Sequence, residues 1–175
     1  YPTPKALEVL KKELNVKKIT SADDMLKEVK KSLPVDLAVC AAAVTDFKPA
    51  EKNKNKIKKE NMKLNKINFI KNVDILEYIS KNNKHRPHLV AGFSAETENL
   101  IKNSINKMKR KHCDIIFANN VSQKDIGFSS DYNKVSIIDK TGNIKVIQKN
   151  KKSFIANKIA EILLDRLLIN DKDIN

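Results

Sequence analysis

The chain has 175 residues, which is long enough for one domain with a buried core that needs neither disulfides nor metal ions. Its formal net charge of +14 suits nucleic acid, an anionic membrane surface or a small polyanionic ligand, but aromatic residues make up only 5% and Trp is absent, which argues against base-stacking platforms for single-stranded nucleic acid. No apolar run approaches the roughly 18 residues of a membrane helix and no secretory leader pattern is present, so we expect a cytoplasmic protein without membrane contact.

The first part of the chain is predicted to be largely helical. Tyr1 to Leu14 begins with Pro-Thr-Pro and continues into a short amphipathic stretch. Lys17 to Thr20 is predicted as a brief strand. Ser21 is a suitable N-cap for the next helix, which is predicted to end near Pro34.

A buried strand and a long polar segment follow. Val35 to Val44 is an almost unbroken run of small and β-branched apolar residues, which is typical of a central parallel strand. Thr45 to Ile67 is rich in lysine and has no apolar period. Because it is too long for an ordinary connection, we expect a functional or disordered loop that becomes ordered when nucleotide binds.

The middle of the chain alternates helices and strands. Val73 to Ser80 is predicted to be helical, His88 to Phe93 to be a buried strand, Thr97 to Lys111 to be an amphipathic helix, and Asp114 to Ala118 to be a third buried strand. This alternation favours parallel pairing of the strands.

The last part of the chain is predicted to be a hairpin followed by a helix. Lys134 to Ile138 and Ile144 to Ile147 alternate apolar and polar residues around Thr141-Gly142-Asn143. Ser153 to Leu168 has the apolar spacing of an amphipathic helix.

These elements predict a single domain over residues 1–175 with a three-layer, Rossmann-like α/β fold, in which a mainly parallel central sheet is followed by a C-terminal β-hairpin. Ligands on such sheets bind beyond the carboxyl ends of the strands. The loops after Val44, Phe93 and Ala118 are therefore expected to form the functional site.

The usual phosphate and metal motifs are absent from the sequence. There is no G-x-G-x-x-G or P-loop lysine motif and only three glycines, so side chains must hold any triphosphate. Cys40 and Cys113 lie in apolar runs without a C-x-x-C partner, and we expect both to be buried core thiols. The three histidines lack the spacing of metal ligands, so no protein-held metal is predicted.

Five motifs nevertheless occur in an order and spacing that resemble bacterial phosphopantothenoylcysteine synthetase, and the resemblance spans nearly the whole chain. They are AAAVTDFKP (Ala41 to Pro49), KIKK (Lys56 to Lys59), KN-x-DIL (Lys71 to Leu76), GFSAET (Gly92 to Thr97) and ANNVS followed by GFSSDYN (Ala118 to Asn133).

The resemblance implies a ligase of coenzyme A biosynthesis. Such enzymes use CTP with Mg²⁺ to convert 4′-phosphopantothenate into an acyl-cytidylate, after which cysteine displaces CMP. The family also implies a homodimer, and in bacteria a flavin-dependent decarboxylase is often fused upstream.

The resemblance further implies which residues meet the nucleotide, and assigns catalysis to Lys56, the first lysine of KIKK. The implied nucleotide contacts are Cys40, Ala41, Ala42, Asp46, Lys56, Val73, Asp74, Ile75, Leu76, Phe93, Lys107 and Lys111.

Lysine side chains suit the implied reaction, because cations at the α-phosphate offset the negative charge that develops during carboxylate attack. Lys107 and Lys111 are four residues apart, so they share one helical face and are expected to clamp phosphates from the helix surface, with little effect on stability. Without the resemblance, such a pair is usually a solvated face. Asp46 is commonly a turn residue at a strand exit, and an aromatic residue that ends a buried strand, as Phe93 does, most often belongs to the core. The small residues Ala41 to Ala43 suit close nucleotide approach and tight packing equally.

The chain also departs from the family pattern. The family's first strand, Gly-rich turn and N-H-S-S-G-K-like segment are missing, so we expect them to be lost or supplied by another chain, and Asn120 stands where Asp is common. The rival interpretations are a non-catalytic partner subunit that needs a separate N-terminal chain, and a basic α/β nucleic-acid-binding module.

Overall fold

The computed structural model describes residues 14–51, 67–122 and 130–172, with side chains to residue 168. The predicted N-terminal amphipathic stretch lies outside the described residues, and so does the KIKK motif with Lys56. None of the helices in the described ranges combines the length and the apolarity that crossing a bilayer requires.

The first helix, α1 (Ala22–Ser32), forms where the sequence predicts it. The backbone N–H of Asp24 donates to the Ser21 hydroxyl over 3.2 Å, which satisfies one of the unpaired donors at the helix start. Acidic residues in the first turn and basic residues in the last turn interact favourably with the helix dipole and stabilise the helix. The predicted strand at Lys17 to Thr20 is wrong, because this segment has no regular secondary structure.

The central strands are β1 (Leu37–Cys40), β4 (Leu89–Glu96) and β5 (Ile115–Asn120), which lie side by side and parallel. β1 is shorter than the predicted Val35 to Val44, because its pairing with β4 ends at Cys40. The antiparallel hairpin of β6 (Tyr132–Asp139) and β7 (Ile144–Lys151) continues the sheet beyond β5. The mainly parallel sheet with a C-terminal hairpin is thereby confirmed.

A small separate ribbon follows β1. β2 (Phe47–Pro49) pairs antiparallel with β3 (Phe69–Lys71). The segment predicted as one long loop, Thr45 to Ile67, therefore contains β2 near its start, and β3 begins just after its end. The Lys48 ammonium contacts both carboxylate oxygens of Asp23 on α1, at 2.6 and 2.7 Å, and ties the ribbon to that helix.

Helices cover both faces of the sheet, which confirms the three layers. α1, α2 (Ile75–Ser80) and α3 (Leu100–Lys111) pack on one face, and α4 (Lys152–Lys172) packs on the other. Buried residues of the first face include Leu76, Val90, Met108 and Ile116, and those of the second include Phe117, Ile137, Ile155 and Ile159.

Gly92 allows α2 to approach β4 closely. A Cβ atom at this position would lie 2.6 Å from Leu76 Cδ2 and 3.2 Å from Ile116 Cδ1, so a larger residue would force the Leu76 side chain to move. Gly92 thus lets Leu76 of α2 pack tightly against the middle of β4.

Candidate active site

A cleft of about 1110 Å³ lies at the carboxyl ends of β1 and β4 and is bounded by the start of α2 and by α3. This is the edge of a parallel sheet at which ligands are expected. Of the residues predicted from the sequence, all except Lys56, which the described ranges do not include, line this cleft: Cys40, Ala41, Ala42, Asp46, Val73, Asp74, Ile75, Leu76, Phe93, Lys107 and Lys111.

The wall after β1 is made of small residues. Ala41 and Ala42 follow the last paired residue of the strand and are exposed, so they leave the backbone open to the cleft. Cys40 is half-buried rather than fully buried as predicted, whereas Cys113 is buried in the core. Burial, and secondarily the charge of Asp74, raises the pKa of the Cys40 thiol, so this thiol stays protonated at neutral pH.

The start of α2 forms the opposite wall. Asp74 is its N-cap, and its Oδ1 accepts from the backbone N–H of Glu77 over 2.9 Å. The Ile75 and Leu76 side chains belong to the hydrophobic core. Only the main chain of these two residues is therefore suited to contact a ligand, while Val73 is exposed.

Phe93 and Lys107 connect β4 to α3 at the cleft. The Lys107 ammonium donates to the carbonyl oxygen of Phe93 over 2.8 Å. The Phe93 ring packs against Phe117, with ring centroids 5.2 Å apart. Its ring thus has a core contact while its carbonyl oxygen binds Lys107, and contact of Phe93 with a nucleotide stays a prediction.

Lys111 differs from Lys107, and the expectation of a surface-mounted pair is wrong for it. Its side chain is only 11% exposed, and its ammonium donates to Asp74 Oδ2 and, over 3.2 Å, to Glu77 Oε2. Burial alone lowers the pKa of Lys111, but the hydrogen bond and charge of Asp74 outweigh burial and raise it. The pKa of Glu77 falls to about 2, mainly through Lys81 and then through Lys111.

Sequence reasoning missed two polar groups in the cleft, Glu96 and Asn72. Glu96 ends β4 and accepts hydrogen bonds from Ser94 Oγ over 2.5 Å and from Asn103 Nδ2 over 3.3 Å. It lies within the GFSAET motif, and Asn72 within KN-x-DIL, so the motifs pointed to both residues. Their roles depend on partners that are distant in sequence, which the motifs alone do not show.

The described lining of the cleft carries mixed charge. Basic residues lie on α3 and on the segment before α1, and acidic residues lie on α1, just before β2, at the start of α2 and at the end of β4. They are Lys17, Lys107, Arg110 and Lys111 on one side and Glu28, Asp46, Asp74 and Glu96 on the other. Because two carboxylates already engage Lys111, Lys107 and Arg110 are the α3 cations best suited to an anionic ligand.

The described residues offer no protein cage for a divalent cation, since none of them form a group of three or more His, Cys, Asp or Glu side chains in metal-binding arrangement. Of the carboxylates that line the cleft, Asp74 is engaged by Lys111, and Asp46 is exposed. This arrangement fits a Mg²⁺ ion held mostly by phosphates and water, which is how Mg²⁺ commonly binds with nucleotides.

Comparisons with known proteins agree with this geometry. The sequence profile of the family described as DNA/pantothenate metabolism flavoprotein C-terminal domain matches residues 3–167. The coenzyme A biosynthesis bifunctional protein CoaBC of Borreliella burgdorferi is 39% identical over 152 residues, which cover 86% of this chain and 37% of that protein. The chain thus spans little more than a third of the length of this relative.

Two solved structures share the fold. The crystal structure of the C-terminal domain of a CoaBC protein superposes with a TM-score of 0.67 at 24% identity, covering 89% of this chain and 69% of that one. A mutant of Cab2 in complex with phosphopantothenate-cysteine superposes with a TM-score of 0.66 at 16% identity, covering 96% of this chain and 60% of that one. The Rossmann-like arrangement predicted from the sequence is thereby confirmed.

Proposed function

Since the chain belongs to the family of the DNA/pantothenate metabolism flavoprotein C-terminal domain, we propose that it is the phosphopantothenate–cysteine ligase domain of coenzyme A biosynthesis. The observation that carries this proposal is the convergence of the predicted nucleotide contacts, all but Lys56, on one cleft at the carboxyl ends of the strands. The similarity to the coenzyme A biosynthesis bifunctional protein of Borreliella and to the Cab2 mutant in complex with phosphopantothenate-cysteine supports it.

The proposed reaction has two steps. A carboxylate oxygen of 4′-phosphopantothenate attacks the α-phosphorus of CTP, and the bond to pyrophosphate breaks. The cysteine amine then attacks the acyl carbon, loses a proton, and releases CMP as the carbon–oxygen bond breaks. The products are phosphopantothenoylcysteine, CMP and pyrophosphate.

The described residues suit the first step. The Lys107 ammonium, held beside β4 by the Phe93 carbonyl, would bind phosphate oxygens, and the exposed small residues after β1 would admit the nucleotide to the backbone. Lys56 is proposed to stabilise charge that develops at the α-phosphate, which would lower the barrier rather than only strengthen binding. Mg²⁺ would arrive with the triphosphate.

We also propose that the chain pairs with a second copy of itself through the β2–β3 ribbon. In the ribbon register Pro49 lies opposite Phe69, and Phe47 lies on the same face. Phe47 and Phe69 are 59% and 61% exposed, although an isolated two-stranded ribbon is only marginally stable in water. A second apolar ribbon face would supply the missing burial.

Two further proposals concern the partner and the cellular location of the protein. The length that the Borreliella relative has beyond the match, together with its description as bifunctional, supports a flavin-dependent decarboxylase as the partner of this domain. A role in coenzyme A synthesis supports a cytoplasmic location.

Calorimetric titration of the full-length protein with CTP and with ATP, in the presence of Mg²⁺, tests the proposed nucleotide site. We expect CTP to bind more tightly than ATP. Absence of CTP binding would contradict the proposal. Salt-dependent binding of DNA that CTP does not affect would instead favour the nucleic-acid-binding interpretation.

A further inference from the structure

Asn72 lies between the two segments that form the walls of the cleft. It follows β3, precedes the helix cap Asp74 by two residues, and is only 7% exposed. It also lines the cleft. A buried polar side chain in a ligand cleft needs a physical explanation, because burial removes its hydrogen bonds to water.

The hydrogen bonds of Asn72 reach the loop that follows β1. Its backbone N–H donates to the carbonyl oxygen of Asp46 over 2.8 Å. Its side-chain Nδ2 donates to the carbonyl oxygen of Thr45 over 2.8 Å and lies 3.4 Å from the Thr45 hydroxyl. One residue therefore fixes two consecutive peptide groups that are 26 and 27 positions away in sequence.

The side-chain amide acts here as a donor. The Asn72 Oδ1 atom is buried, and it has no hydrogen-bond partner among the described residues. The reversed amide would place two oxygens, Oδ1 and the Thr45 carbonyl, against each other, so the observed orientation is the favourable one. An unpaired buried acceptor is a cost that is expected at functional sites more than in purely structural contacts.

We propose that Asn72 is a positioning residue of the nucleotide site, holding Asp46 at a fixed place relative to Asp74 and Lys107. This inference rests on the proposed function. Asp46 is exposed, and the segment before it, residues 41–45, has no regular structure. The main chain of Asp46 is restrained by the backbone hydrogen bond from Asn72 to its own carbonyl, by the side-chain hydrogen bond from Asn72 to the preceding carbonyl of Thr45, and by the start of the β2–β3 ladder.

A positioning role and a purely structural role differ in whether loss of the residue changes ligand affinity or only stability. A structural asparagine lowers stability when it is lost and leaves ligand affinity unchanged. Loss of a positioning asparagine lowers ligand affinity only while the residue that it positions is present. The effect of substituting Asn72 should therefore disappear when Asp46 is already truncated.

A double-mutant cycle in the full-length protein separates the two roles. CTP affinity is measured for the wild type, Asn72→Ala, Asp46→Ala and the double variant. We expect Asn72→Ala to weaken CTP binding about tenfold, and the double variant to bind within about twofold of Asp46→Ala alone. If Asn72→Ala does not fold, Asn72→Ser replaces it, because its shorter hydroxyl does not reach the Thr45 carbonyl.

A control variant and a ligand-free measurement complete the test. Asn82→Ala also removes side-chain hydrogen bonds to two backbone N–H groups, those of Lys84 and His85, but lies outside the cleft. It should lower the melting temperature and leave CTP affinity unchanged. In the absence of nucleotide, Asn72→Ala should speed hydrogen–deuterium exchange in a peptide covering residues 41–47, and Asn82→Ala should not.

Each outcome decides the inference. Wild-type CTP affinity in Asn72→Ala, or effects of the two substitutions that add fully in the double variant, would overturn it while leaving the proposed function intact. A wild-type protein that binds no CTP would overturn the proposed function and this inference together. Unchanged exchange at residues 41–47 in Asn72→Ala would overturn the positioning role even if CTP affinity fell.

Discussion

The Lys107 ammonium donates a 2.8 Å hydrogen bond to the main-chain carbonyl of Phe93 at the mouth of the cleft. A carbonyl is a neutral acceptor, so this contact orients the ammonium without cancelling its charge. Lys111, one turn further along the same helix, is held by two carboxylates instead. The two lysines that the sequence places on one helical face therefore have different surroundings.

Lys107→Ala is expected to weaken CTP binding about tenfold or more, which corresponds to the loss of one charge-assisted hydrogen bond. The free energy of unfolding should fall by only about 1 kcal/mol, because the contact with Phe93 is a single neutral-acceptor hydrogen bond. Calorimetric titration and denaturant unfolding measure the two effects. Lys102→Ala, an exposed position on the same helix, is the matched control, and equal CTP affinity in both variants would refute the role of Lys107.

Lys111→Met is expected to lower the free energy of unfolding by about 1–3 kcal/mol, because it leaves Asp74 and Glu77 without their shared cation. Lys109→Met, an exposed neighbour, should change stability by less than about 0.5 kcal/mol. Urea unfolding measures both. Equal stability of the two variants would contradict the structural role of this ion pair.

Asp139 predicts an acid-sensitive contribution to stability. Burial raises the pKa of its carboxyl, but hydrogen bonds from Thr141, Arg166 and the backbone N–H of Asn143 outweigh burial and lower it to about 2, from an ordinary value of 3.8. A lowered folded-state pKa stabilises the protein above pH 3.8, and this stabilisation is lost as the pH falls from 3.8 towards 2.

The loss of wild-type stability between pH 4 and pH 2 should therefore be steeper than in Asp139→Asn, as measured by urea unfolding at a series of pH values. Asp165→Asn, an exposed position, should follow the wild-type profile. Identical pH profiles for Asp139→Asn and the wild type would show that the Asp139 carboxyl does not cause the loss of stability in acid.

Phe69→Ser is expected to convert a dimer into a monomer, because it removes an exposed aromatic ring from the ribbon face proposed as the interface. Size-exclusion chromatography with light scattering gives the mass directly. Leu164→Ser removes a comparably exposed apolar side chain from α4 and should leave the mass unchanged. A wild-type protein that is monomeric at micromolar concentration would contradict the proposed pairing.

The order of helices and strands was predictable because local signals were strong. Ser21 at the start of α1 and the Thr141-Gly142-Asn143 turn between β6 and β7 are short-range patterns, and the structure confirms both elements. The ribbon was missed because β2 and β3 are only three residues long and are brought together by a contact across more than twenty positions. No local period marks such a pair.

The candidate site was predictable in location but less so in its interactions. Motif order and the topology of parallel strands placed the predicted residues at one sheet edge, where the cleft lies. Side-chain pairing depends on the packing of α2 against α3, so the sequence did not show that Lys111 is buried between Asp74 and Glu77. The hydrogen bonds of Asn72 to Thr45 and Asp46 were hidden for the same reason.

Product formation by the full-length protein tests the central claim most directly. The protein is incubated with CTP, Mg²⁺, 4′-phosphopantothenate and cysteine, and phosphopantothenoylcysteine and pyrophosphate are quantified for the wild type, Lys56→Gln and Lys54→Gln. We predict equal amounts of the two products in the wild type, a turnover reduced roughly a hundredfold or more in Lys56→Gln, and near wild-type turnover in Lys54→Gln. Failure of the wild type to form phosphopantothenoylcysteine would contradict the proposed ligase function, and equal turnover of the two lysine variants would contradict the role of Lys56.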